Sequence, residues 1–303
     1  MFSNKNIRMK IIAGELIETP WKVEDAIAIS TGKKNSGRMF MKSLKNKKLF
    51  LLDMDGTIYL DNDLFDGTLD FLNFVKSIGG RYIFLTNNSS KGIDKYIEKL
   101  DKMGISSTSD DFLTSTDATI VYLKEKNFKK IYAFGTESFV KQLKDAGFNV
   151  TTEREEGIDC LCLSNDTELT FKKLEDACIL LGEDIAYIAT NPDWVCPTWY
   201  GFVPDCGSFA DIIYNATKKR PKFIGKPEPD MAQLAMEKTG FSKEETILLG
   251  DRLYTDIACG INAGISTIFV LSGEGTLVDV EKSDKKPEFI YENIQKIYED
   301  LVK

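Results

Sequence analysis

The chain has 303 residues, of which 43% are hydrophobic and 28% charged, a composition typical of a globular protein of about two domains. Its 47 acidic residues outnumber its 39 basic ones, and the net charge of -8 disfavours binding to nucleic acid or to an anionic membrane. Histidine is absent, which excludes imidazole metal sites and leaves acid–base chemistry to carboxylates, thiols, lysine or metal-bound water.

The first 43 residues differ from the rest of the chain. A short mixed stretch is followed by the basic, Gly- and Ser-containing segment TGKKNSGRMFMKSLKNKK, which has no acidic residue. This composition predicts a solvated, flexible extension over residues 1–43. Because strand-like sequence begins only at Leu49, we hypothesise that Met41 is the authentic start. An unfolded or inactive protein after deletion of residues 1–40 would refute this hypothesis.

Beyond this extension, short apolar segments alternate with amphipathic ones. The predicted strands are LFLL (49–52), RYIFLT (81–86), one near 112–113, KIYAFG (130–135), FNVTT (148–152), IDCLCLS (158–164), IAYIAT (185–190), KFIG (222–225), TILLGD (246–251) and STIFVL (266–271). The predicted helices are 66–80, 90–104, one that ends near 127, 137–146, 170–182, 208–217, 229–239 and 254–263. Leu69, Leu72 and Val75 form the apolar face predicted for the first helix. This alternation predicts parallel sheets joined by right-handed crossovers.

The six cysteines contain no C-x-x-C pair, and without histidine no mixed zinc site can be completed. Cys160 and Cys162 alternate along a predicted strand, which indicates buried core positions. No apolar run approaches the roughly 18 residues of a membrane span, and the N-terminus has no compact apolar signal core. We therefore expect a cytoplasmic protein with reduced thiols and no membrane partner.

The first polar cluster is the turn Asp53-Met54-Asp55-Gly56-Thr57, directly after the strand 49–52. Ligands of parallel α/β sheets bind beyond the carboxyl ends of strands, where Asp53 is placed to attack phosphorus and Asp55 to handle protons. D-x-D-G turns are common, however. A polar turn with Gly56 in an unusual backbone conformation explains the segment equally well.

Three further clusters follow later strands, and they contain Thr86 and Asn87 (LTNNSS), Lys226 (GKPEP), and Asp251 and Asp256 (GDRLYTD). Hydroxyls and amides at a helix start favour an anion, and a lysine held between Gly and Pro can neutralise a phosphate oxygen. Singly, a helix cap or a solvent-facing loop explains each cluster. Because all four follow strands, they jointly predict one site at the edge of a sheet.

The ordered set DMDGT, LTNNSS, GKPEP and GDRLYTDI resembles the haloacid dehalogenase superfamily, in particular its branch of NagD-type phosphatases and 4-nitrophenylphosphatases. The resemblance runs from about residue 47 to 300 and includes ATNPDWVCPTWYGFVPDCGSFADII, which is similar to the cap of that branch. It implies a doubly wound, Rossmann-like parallel-sheet core over 44–128 and 220–303, with an inserted α/β cap of the C2 type over 129–219. Residues 1–43 lie outside the family pattern.

The resemblance also implies roles for individual residues. Asp53 is implied as the nucleophile and Asp55 as the general acid and then base, so we expect burial and nearby negative charge to raise the pKa of Asp55. The implied ligands of Mg²⁺ are the Asp53 carboxylate, the Asp55 backbone carbonyl and Asp251. The implied phosphate contacts are Thr86, Asn87 and Lys226, and Asp256 has a supporting position.

The function implied is that of a Mg²⁺-dependent phosphatase acting on small phosphorylated metabolites such as nucleotide or sugar phosphates, and on 4-nitrophenyl phosphate in vitro, through an aspartyl-phosphate. Several carboxylates and a phosphate cannot gather without cations, and oxygen ligands suit Mg²⁺. The cap loop with Trp194, Cys196, Trp199 and Tyr200 is expected to face the substrate. Packing within the cap, or a subunit contact, explains these side chains equally well. A homodimer formed through the cap is a further expectation.

Three other functions share parts of this pattern. A receiver domain uses a similar acidic cluster with Thr and Lys, but it is far shorter and lacks both a cap and the second acid. A catalytically idle binding protein would not need Asp53, Asp55, Lys226 and Asp251 together. A phosphomutase or phosphotransferase shares the phospho-aspartate and passes the phosphate to another hydroxyl, so only product analysis separates it from a hydrolase.

Overall fold

A computed structural model of the chain describes residues 44–198 and 200–303, so the predictions for residues 1–43 and for Trp199 lie outside the described part. In chain order the strands are β1 (Leu49–Leu52), β2 (Tyr59–Leu60), β3 (Asp63–Leu64), β4 (Arg81–Thr86), β5 (Phe112–Thr114), β6 (Ile131–Phe134), β7 (Val150–Thr151), β8 (Cys160–Leu163), β9 (Ala186–Ala189), β10 (Val195–Thr198), β11 (Gly201–Pro204), β12 (Lys222–Phe223), β13 (Thr246–Gly250), β14 (Ser266–Val270) and β15 (Phe289–Tyr291).

The α-helices, in the same order, are α1 (Thr68–Ser77), α2 (Ile93–Lys102), α3 (Ser115–Lys126), α4 (Glu137–Asp145), α5 (Phe171–Leu180), α6 (Cys206–Thr217), α7 (Asp230–Thr239), α8 (Ala258–Ala263), α9 (Leu277–Lys282) and α10 (Ile294–Leu301). A π-helical turn, Leu253–Ile257, precedes α8. Within the described residues, no helix is both long and apolar enough to cross a membrane.

Six strands form a parallel sheet in the order β15-β14-β13-β1-β4-β5. All four residues of β1 are fully buried; Leu49 and Leu51 pack in one core cluster, and Phe50 and Leu52 pack in another on the opposite face. This alternation places helices on both faces of the sheet. The chain runs from β1 toward β5 on one side and from β13 toward β15 on the other, so the order reverses beside β1, where ligands bind in such folds.

A second parallel sheet, in the order β12-β9-β8-β6-β7, is inserted between α3 and α7. One face of this sheet forms a separate apolar cluster with α5 and α6, which contribute residues such as Ala177 and Phe209. Residues of the other face, such as Cys160, belong to the core cluster that also contains Leu49. The strand β12 pairs with β9 of this second sheet, although the sequence assigned residues from 220 onward to the first. The predicted α/β fold with doubly wound parallel sheets is therefore confirmed.

Several elements differ from the sequence prediction. Leu69 was placed on the apolar face of α1 but is 41% exposed, because Phe71, Leu72 and Val75 fill that face. The antiparallel hairpins β2–β3 and β10–β11 were not predicted, nor were α9, β15 and α10. The β10–β11 segment contains prolines inside its strands, which is atypical of a strand and explains why it was interpreted as a loop.

Candidate active site

Asp53 lies at the carboxyl end of the central strand β1. Its backbone N–H donates to Leu249 O at 2.9 Å, which continues the pairing of β1 with β13 before the chain turns away. The turn depends on Gly56, whose φ is +88° and whose position leaves no room for a side chain, because a Cβ would lie 2.6 Å from Asp251 Oδ2. Thr57 Oγ1 donates to Asp53 Oδ2 at 3.3 Å. The turn therefore directs the Asp53 carboxylate away from the sheet and toward Asp251.

Lys226 is 2% exposed, and its ammonium makes three hydrogen bonds. Nζ donates to Asp53 Oδ1 at 2.7 Å, to Asp256 Oδ1 at 2.6 Å and to Leu85 O at 3.1 Å. The two carboxylates raise the pKa of Lys226 above its usual range and more than offset the effect of burial, so the side chain stays charged. One ammonium thus neutralises part of the acidic cluster and orients Asp53.

The Lys226 backbone is fixed by the Asn87 side chain. Lys226 N donates to Asn87 Oδ1 at 2.9 Å, and Asn87 Nδ2 donates to Lys226 O at 2.9 Å. Both ends of the Asn87 amide therefore engage the loop that follows β12, and they tie it to the end of β4. The polar residues after β4 do not cap α2, because that helix begins after Gly92 without a side-chain cap.

Asp251 and Asp256 follow β13 and are almost fully buried. Asp251 Oδ2 accepts a hydrogen bond from Glu274 N at 2.6 Å, whereas Oδ1 has no hydrogen-bond partner among the described residues. Asp256 differs, because Oδ1 accepts from Lys226 and Oδ2 accepts from Arg252 N at 3.1 Å. The two acids therefore differ in what they can still bind.

Asp53, Asp251 and Asp256 form a cluster whose nearest carboxylate oxygens all lie within 4.8 Å of one another. Burial and the neighbouring carboxylates raise the pKa of Asp251 well above its usual range, and burial raises the pKa of Asp256 to about 6 against the opposing effect of Lys226. A bound divalent cation would relieve this repulsion. The oxygen-only donors and the unpartnered Asp251 Oδ1 fit a hard cation, to which Asp53 and Asp251 can offer oxygens while Asp256 holds Lys226.

Asp55 faces the same cleft from a different setting. Its Oδ1 lies 3.7 Å from Lys99 Nζ, and its Oδ2 accepts a hydrogen bond from Tyr59 OH at 3.4 Å. Lys99 also lies 3.7 Å from the centre of the Tyr59 ring. Partial burial in the cleft raises the pKa of Asp55, Asp53 adds to the increase, and Lys99 partly offsets it. Asp55 thus differs from Asp53, whose partner is the Lys226 ammonium.

Sequence reasoning missed Lys99 and Tyr59. Lys99 lies on α2, well after the polar cluster that follows β4, and Tyr59 lies on β2 among apolar neighbours. Tyr59 follows Asp55 by four residues and reaches it where the turn leads into β2. Lys99 is distant along the chain and reaches Asp55 through the packing of α2 over the turn. Thr86, in contrast, lines the cleft as expected, and its Oγ1 accepts a hydrogen bond from Asn88 N at 3.2 Å.

The second sheet closes the cleft from above. Its loops contact the ends of the first sheet through Asn191 Nδ2, which donates to Asn87 O at 2.7 Å, and through Thr136 Oγ1, which donates to Ser90 O at 2.9 Å. The enclosed cleft has a cavity volume of about 40 Å³. The lining residues are Asp53, Asp55, Thr86, Asn87, Asn88, Asp193, Val195, Cys196, Asp205, Lys226, Arg252, Thr255 and Asp256.

Of the four cap-loop candidates, three lie among the described residues, and only Cys196 lines the cleft. Cys196 lines the cleft, and burial raises the pKa of its thiol to about 12, so it stays protonated. Trp194 is 60% exposed and stacks against Tyr254 at a ring distance of 6.3 Å, while Tyr200 is exposed and does not line the cleft. Trp199 lies outside the described residues. Asp193, Asp205 and Arg252 line the cleft but were not singled out from the sequence.

The chain matches two models of known protein families and is similar to a known phosphatase. Residues 50–149 match the family model of haloacid dehalogenase-like hydrolases, and residues 223–297 match a second HAD-hydrolase-like model. The chain is 33% identical to an acid sugar phosphatase of Staphylococcus aureus (strain MRSA252) over 86% of its own length and 100% of the relative.

Solved structures are similar over the same region. A 4-nitrophenylphosphatase from Thermotoga maritima is 40% identical, with a TM-score of 0.80 over 85% of this chain and 98% of that one. A putative nagD protein is 38% identical, with a TM-score of 0.77 over 85% of this chain and 99% of that one. The similarity therefore spans both sheets and not the first alone.

Proposed function

The chain belongs to the haloacid dehalogenase-like hydrolases, in their NagD-like branch, and is a phosphatase of phosphoric monoesters; from this premise we propose that it works through a phosphorylated Asp53 with Mg²⁺ as cofactor. The observation that carries the proposal is that two carboxylates face one cleft in different settings. Asp53 is paired with the Lys226 ammonium, whereas the surroundings of Asp55 raise its pKa. A nucleophile and a proton carrier need this difference.

In the first half of the reaction, an oxygen of the Asp53 carboxylate forms a bond to phosphorus as the bond from phosphorus to the leaving oxygen breaks. Asp55 gives its proton to that oxygen, so the alcohol leaves neutral. In the second half, water attacks the same phosphorus, Asp55 takes a proton from the water, and the bond between Asp53 and phosphorus breaks. The products are the alcohol and inorganic phosphate, and Asp55 regains the proton it began with.

Phosphate binding is assigned to groups at the ends of β4 and β12. Lys226 brings a positive charge to within 2.7 Å of Asp53 Oδ1, so a phosphoryl oxygen beside Asp53 lies near the same ammonium. Thr86 contributes its hydroxyl. Because both ends of the Asn87 side chain engage Lys226, we assign Asn87 to orienting this lysine, with its backbone N–H as its own phosphate contact.

Mg²⁺ would be held by the carboxylates of Asp53 and Asp251 and by the backbone carbonyl of Asp55. Bound there, it supplies positive charge that offsets the phosphate and the acidic cluster. The support is the unpartnered, buried Asp251 Oδ1 beside Asp53. Asp256 is assigned to positioning Lys226, because its two oxygens are already engaged by Lys226 and by Arg252 N.

The domain division is proposed from the two sheets. We assign the core to residues 44–128 and 224–303 and the cap to 129–223, which moves the second boundary so that β12 stays with the sheet it joins. The cap covers the cleft and contacts the leaving group, and small phosphorylated metabolites such as sugar phosphates are its proposed substrates. Pairing of two chains through the cap stays a prediction that sedimentation can test.

The decisive experiment is Asp53→Asn, assayed with 4-nitrophenyl phosphate and Mg²⁺. We expect turnover to fall by about 10³-fold or more, because the nucleophile is lost while the shape of the site is kept. After acid quenching with a labelled phosphate monoester, the wild type should carry label on Asp53, and the variant should carry none. Substantial residual turnover, or label on another residue, would reject the proposal.

Three further readouts separate the alternatives. EDTA should silence the wild type and Mg²⁺ should restore it; full turnover without a divalent ion would reject the metal assignment. Release of inorganic phosphate supports hydrolysis, whereas transfer of phosphate to an added sugar would favour a phosphomutase or phosphotransferase. A phospho-enzyme that persists for many minutes would favour a receiver-like acceptor.

A further inference from the structure

The cap side of the cleft carries a buried carboxylate that the proposed chemistry does not use. Asp193 is 4% exposed and lines the cleft, and its Oδ1 has no hydrogen-bond partner among the described residues. Its Oδ2 lies 3.7 Å from Arg252 Nη1. A buried carboxylate oxygen without a donor is costly, so this atom is expected to meet a donor when the cleft is filled.

Asp193 is held firmly in this position. Its backbone O accepts a hydrogen bond from Gly207 N at 2.8 Å, and Trp194 O accepts one from Asp205 N at 2.9 Å. Gly207 is required for this approach, because a Cβ there would lie 2.2 Å from Pro192 O. The segment that carries Asp193 is thus fixed against the start of α6, as a recognition group needs to be.

The charge on this side of the cleft is negative. Asp193 and Asp205 both line it, and Arg252, a nearby cation, is also paired through Nε with Glu274 Oε2 at 2.8 Å. Lys226 and the Asn87 side chain, on the core side of the cleft, also stabilise the ionised form of Asp193. Burial raises the pKa of Asp193, and burial together with Asp193 raises the pKa of Asp205 to about 7. Ionised or protonated, these groups can exchange hydrogen bonds with hydroxyls, and the ionised form repels an anion.

We propose that Asp193 is a specificity-determining residue whose Oδ1 accepts a hydrogen bond from a hydroxyl of the leaving group. The preferred substrates are then phosphate monoesters of neutral polyols, and monoesters with a carboxylate beside the phosphate are disfavoured. This inference rests on the proposed function, because it concerns the leaving group that the proposed active site releases.

The hydrogen bond to Asp193 and the repulsion of a leaving-group carboxylate should both change substrate preference by measurable factors. A hydrogen bond to a charged acceptor corresponds to about 10- to 100-fold in binding or rate. A leaving-group carboxylate about 6 Å from an ionised Asp193, at an effective dielectric of about 20, is disfavoured by at most roughly 100-fold, and the nearby Arg252 guanidinium reduces this factor. Glycerol 3-phosphate and 2-phosphoglycolate are similar in size and differ in this respect, and 4-nitrophenyl phosphate has no hydroxyl on its leaving group.

The test compares kcat/KM of the Mg²⁺-loaded full-length enzyme on these three substrates, for the wild type, Asp193→Asn and Asp166→Asn. Asp166 is a matched control, because it is an equally buried cap aspartate that pairs with Lys173 at 2.8 Å and does not line the cleft. We expect the wild type to prefer glycerol 3-phosphate to 2-phosphoglycolate by at least about tenfold. Asp193→Asn should shrink this preference, and it should lower kcat/KM for glycerol 3-phosphate about tenfold more than for 4-nitrophenyl phosphate. Asp166→Asn should keep the wild-type ratios.

Two results would overturn the inference. One is equal use of glycerol 3-phosphate and 2-phosphoglycolate by the wild type. The other is an Asp193→Asn variant whose kcat/KM changes by the same factor on all three substrates, as a purely structural role or a water-filled cleft would give. Either result leaves the phosphatase mechanism intact, whereas failure of the wild type to hydrolyse 4-nitrophenyl phosphate would reject the proposed function together with this inference.

Discussion

Replacing the buried ammonium of Lys226 by an uncharged side chain of similar length tests the electrostatic reasoning most directly. Lys226→Met keeps most of the volume and removes all three hydrogen bonds, to Asp53, to Asp256 and to Leu85 O. Asp256, 1% exposed, then stays buried without its cation. Removal of one partner from a buried ion pair destabilises proteins by about 3–5 kcal/mol, which corresponds to a fall of roughly 10 °C in the unfolding midpoint for a core of this size.

The loss of stability in Lys226→Met should depend on pH, whereas a loss caused by altered packing alone would not. Lys226 opposes the burial that raises the pKa of Asp256 to about 6, so its removal raises that pKa further. A carboxyl group whose folded-state pKa is raised is most favourable when protonated and loses stability as pH rises through that pKa. The loss of stability in Lys226→Met should therefore be smaller at pH 5 than at pH 8, measured by thermal unfolding without metal.

Lys47→Met is the matched control for this variant. Lys47 is 8% exposed and its ammonium donates to Glu244 O at 2.7 Å and to Thr246 O at 3.0 Å, main-chain oxygens far from the cleft. Its loss should destabilise the chain without the pH dependence, and phosphatase turnover should survive. Lys226→Met should lower turnover by about 10²-fold or more, because it removes charge stabilisation beside the proposed nucleophile, Asp53. A pH-independent loss, or a loss below about 1 kcal/mol, would refute the reasoning.

Two other outcomes are expected. Without metal, Asp251→Asn should unfold at a higher temperature than the wild type, because it removes a carboxyl group buried beside other carboxylates. If Asp251 holds Mg²⁺ as proposed, the variant should also lose the stabilisation of about 2.7 kcal/mol expected for the wild type with Mg²⁺ at 100 times its Kd. An unchanged Mg²⁺ response in a thermal-shift assay would exclude Asp251 as a ligand. Asp205, whose pKa is raised to about 7, should favour the fold below about pH 4 and lose that contribution as pH rises through 7. Thermal unfolding should therefore show a smaller decline over this range in Asp205→Asn, and identical pH profiles for the two proteins would contradict the shift.

The strands and the core helices could be predicted because their patterns are strong. Fully apolar runs such as LFLL predict strands buried on both faces, and in the structure both faces of β1 are buried in apolar core clusters. The hairpin β10–β11 could not be predicted, since it is a two-stranded ribbon outside the parallel sheets with exposed residues on β11. Leu69 shows the limit of a helical pattern: an apolar residue is buried only where a neighbour covers it.

Some residues of the candidate site could likewise be predicted from the sequence and others could not. Residues at strand ends, such as Asp53 and Asp251, could be placed together because parallel strands bring their carboxyl ends to one edge. Lys99 and Asp193 could not. Lys99 reaches Asp55 from a helix face far from the motifs along the chain, and Asp193 lies inside the quoted cap segment, where nothing distinguishes it from its neighbours. Their contribution depends on side-chain packing and on how the cap sits over the core, which periodicity does not specify.

The contrast among the acids of the cleft is set by their partners. The four aspartates have the same side chain, yet their surroundings differ. Asp53 is paired with Lys226, Asp55 contacts Tyr59 and Lys99, Asp251 keeps an oxygen without a hydrogen-bond partner among the described residues, and Asp256 accepts from two donors. Lys226 contacts two of the four, so its charge affects both the proposed nucleophile, Asp53, and Asp256, which we assign to positioning Lys226. In a chain without histidine, the proposed roles of nucleophile, proton carrier and metal ligand have to be distinguished by charge partners, and a variant that removes one cation should change several of them at once.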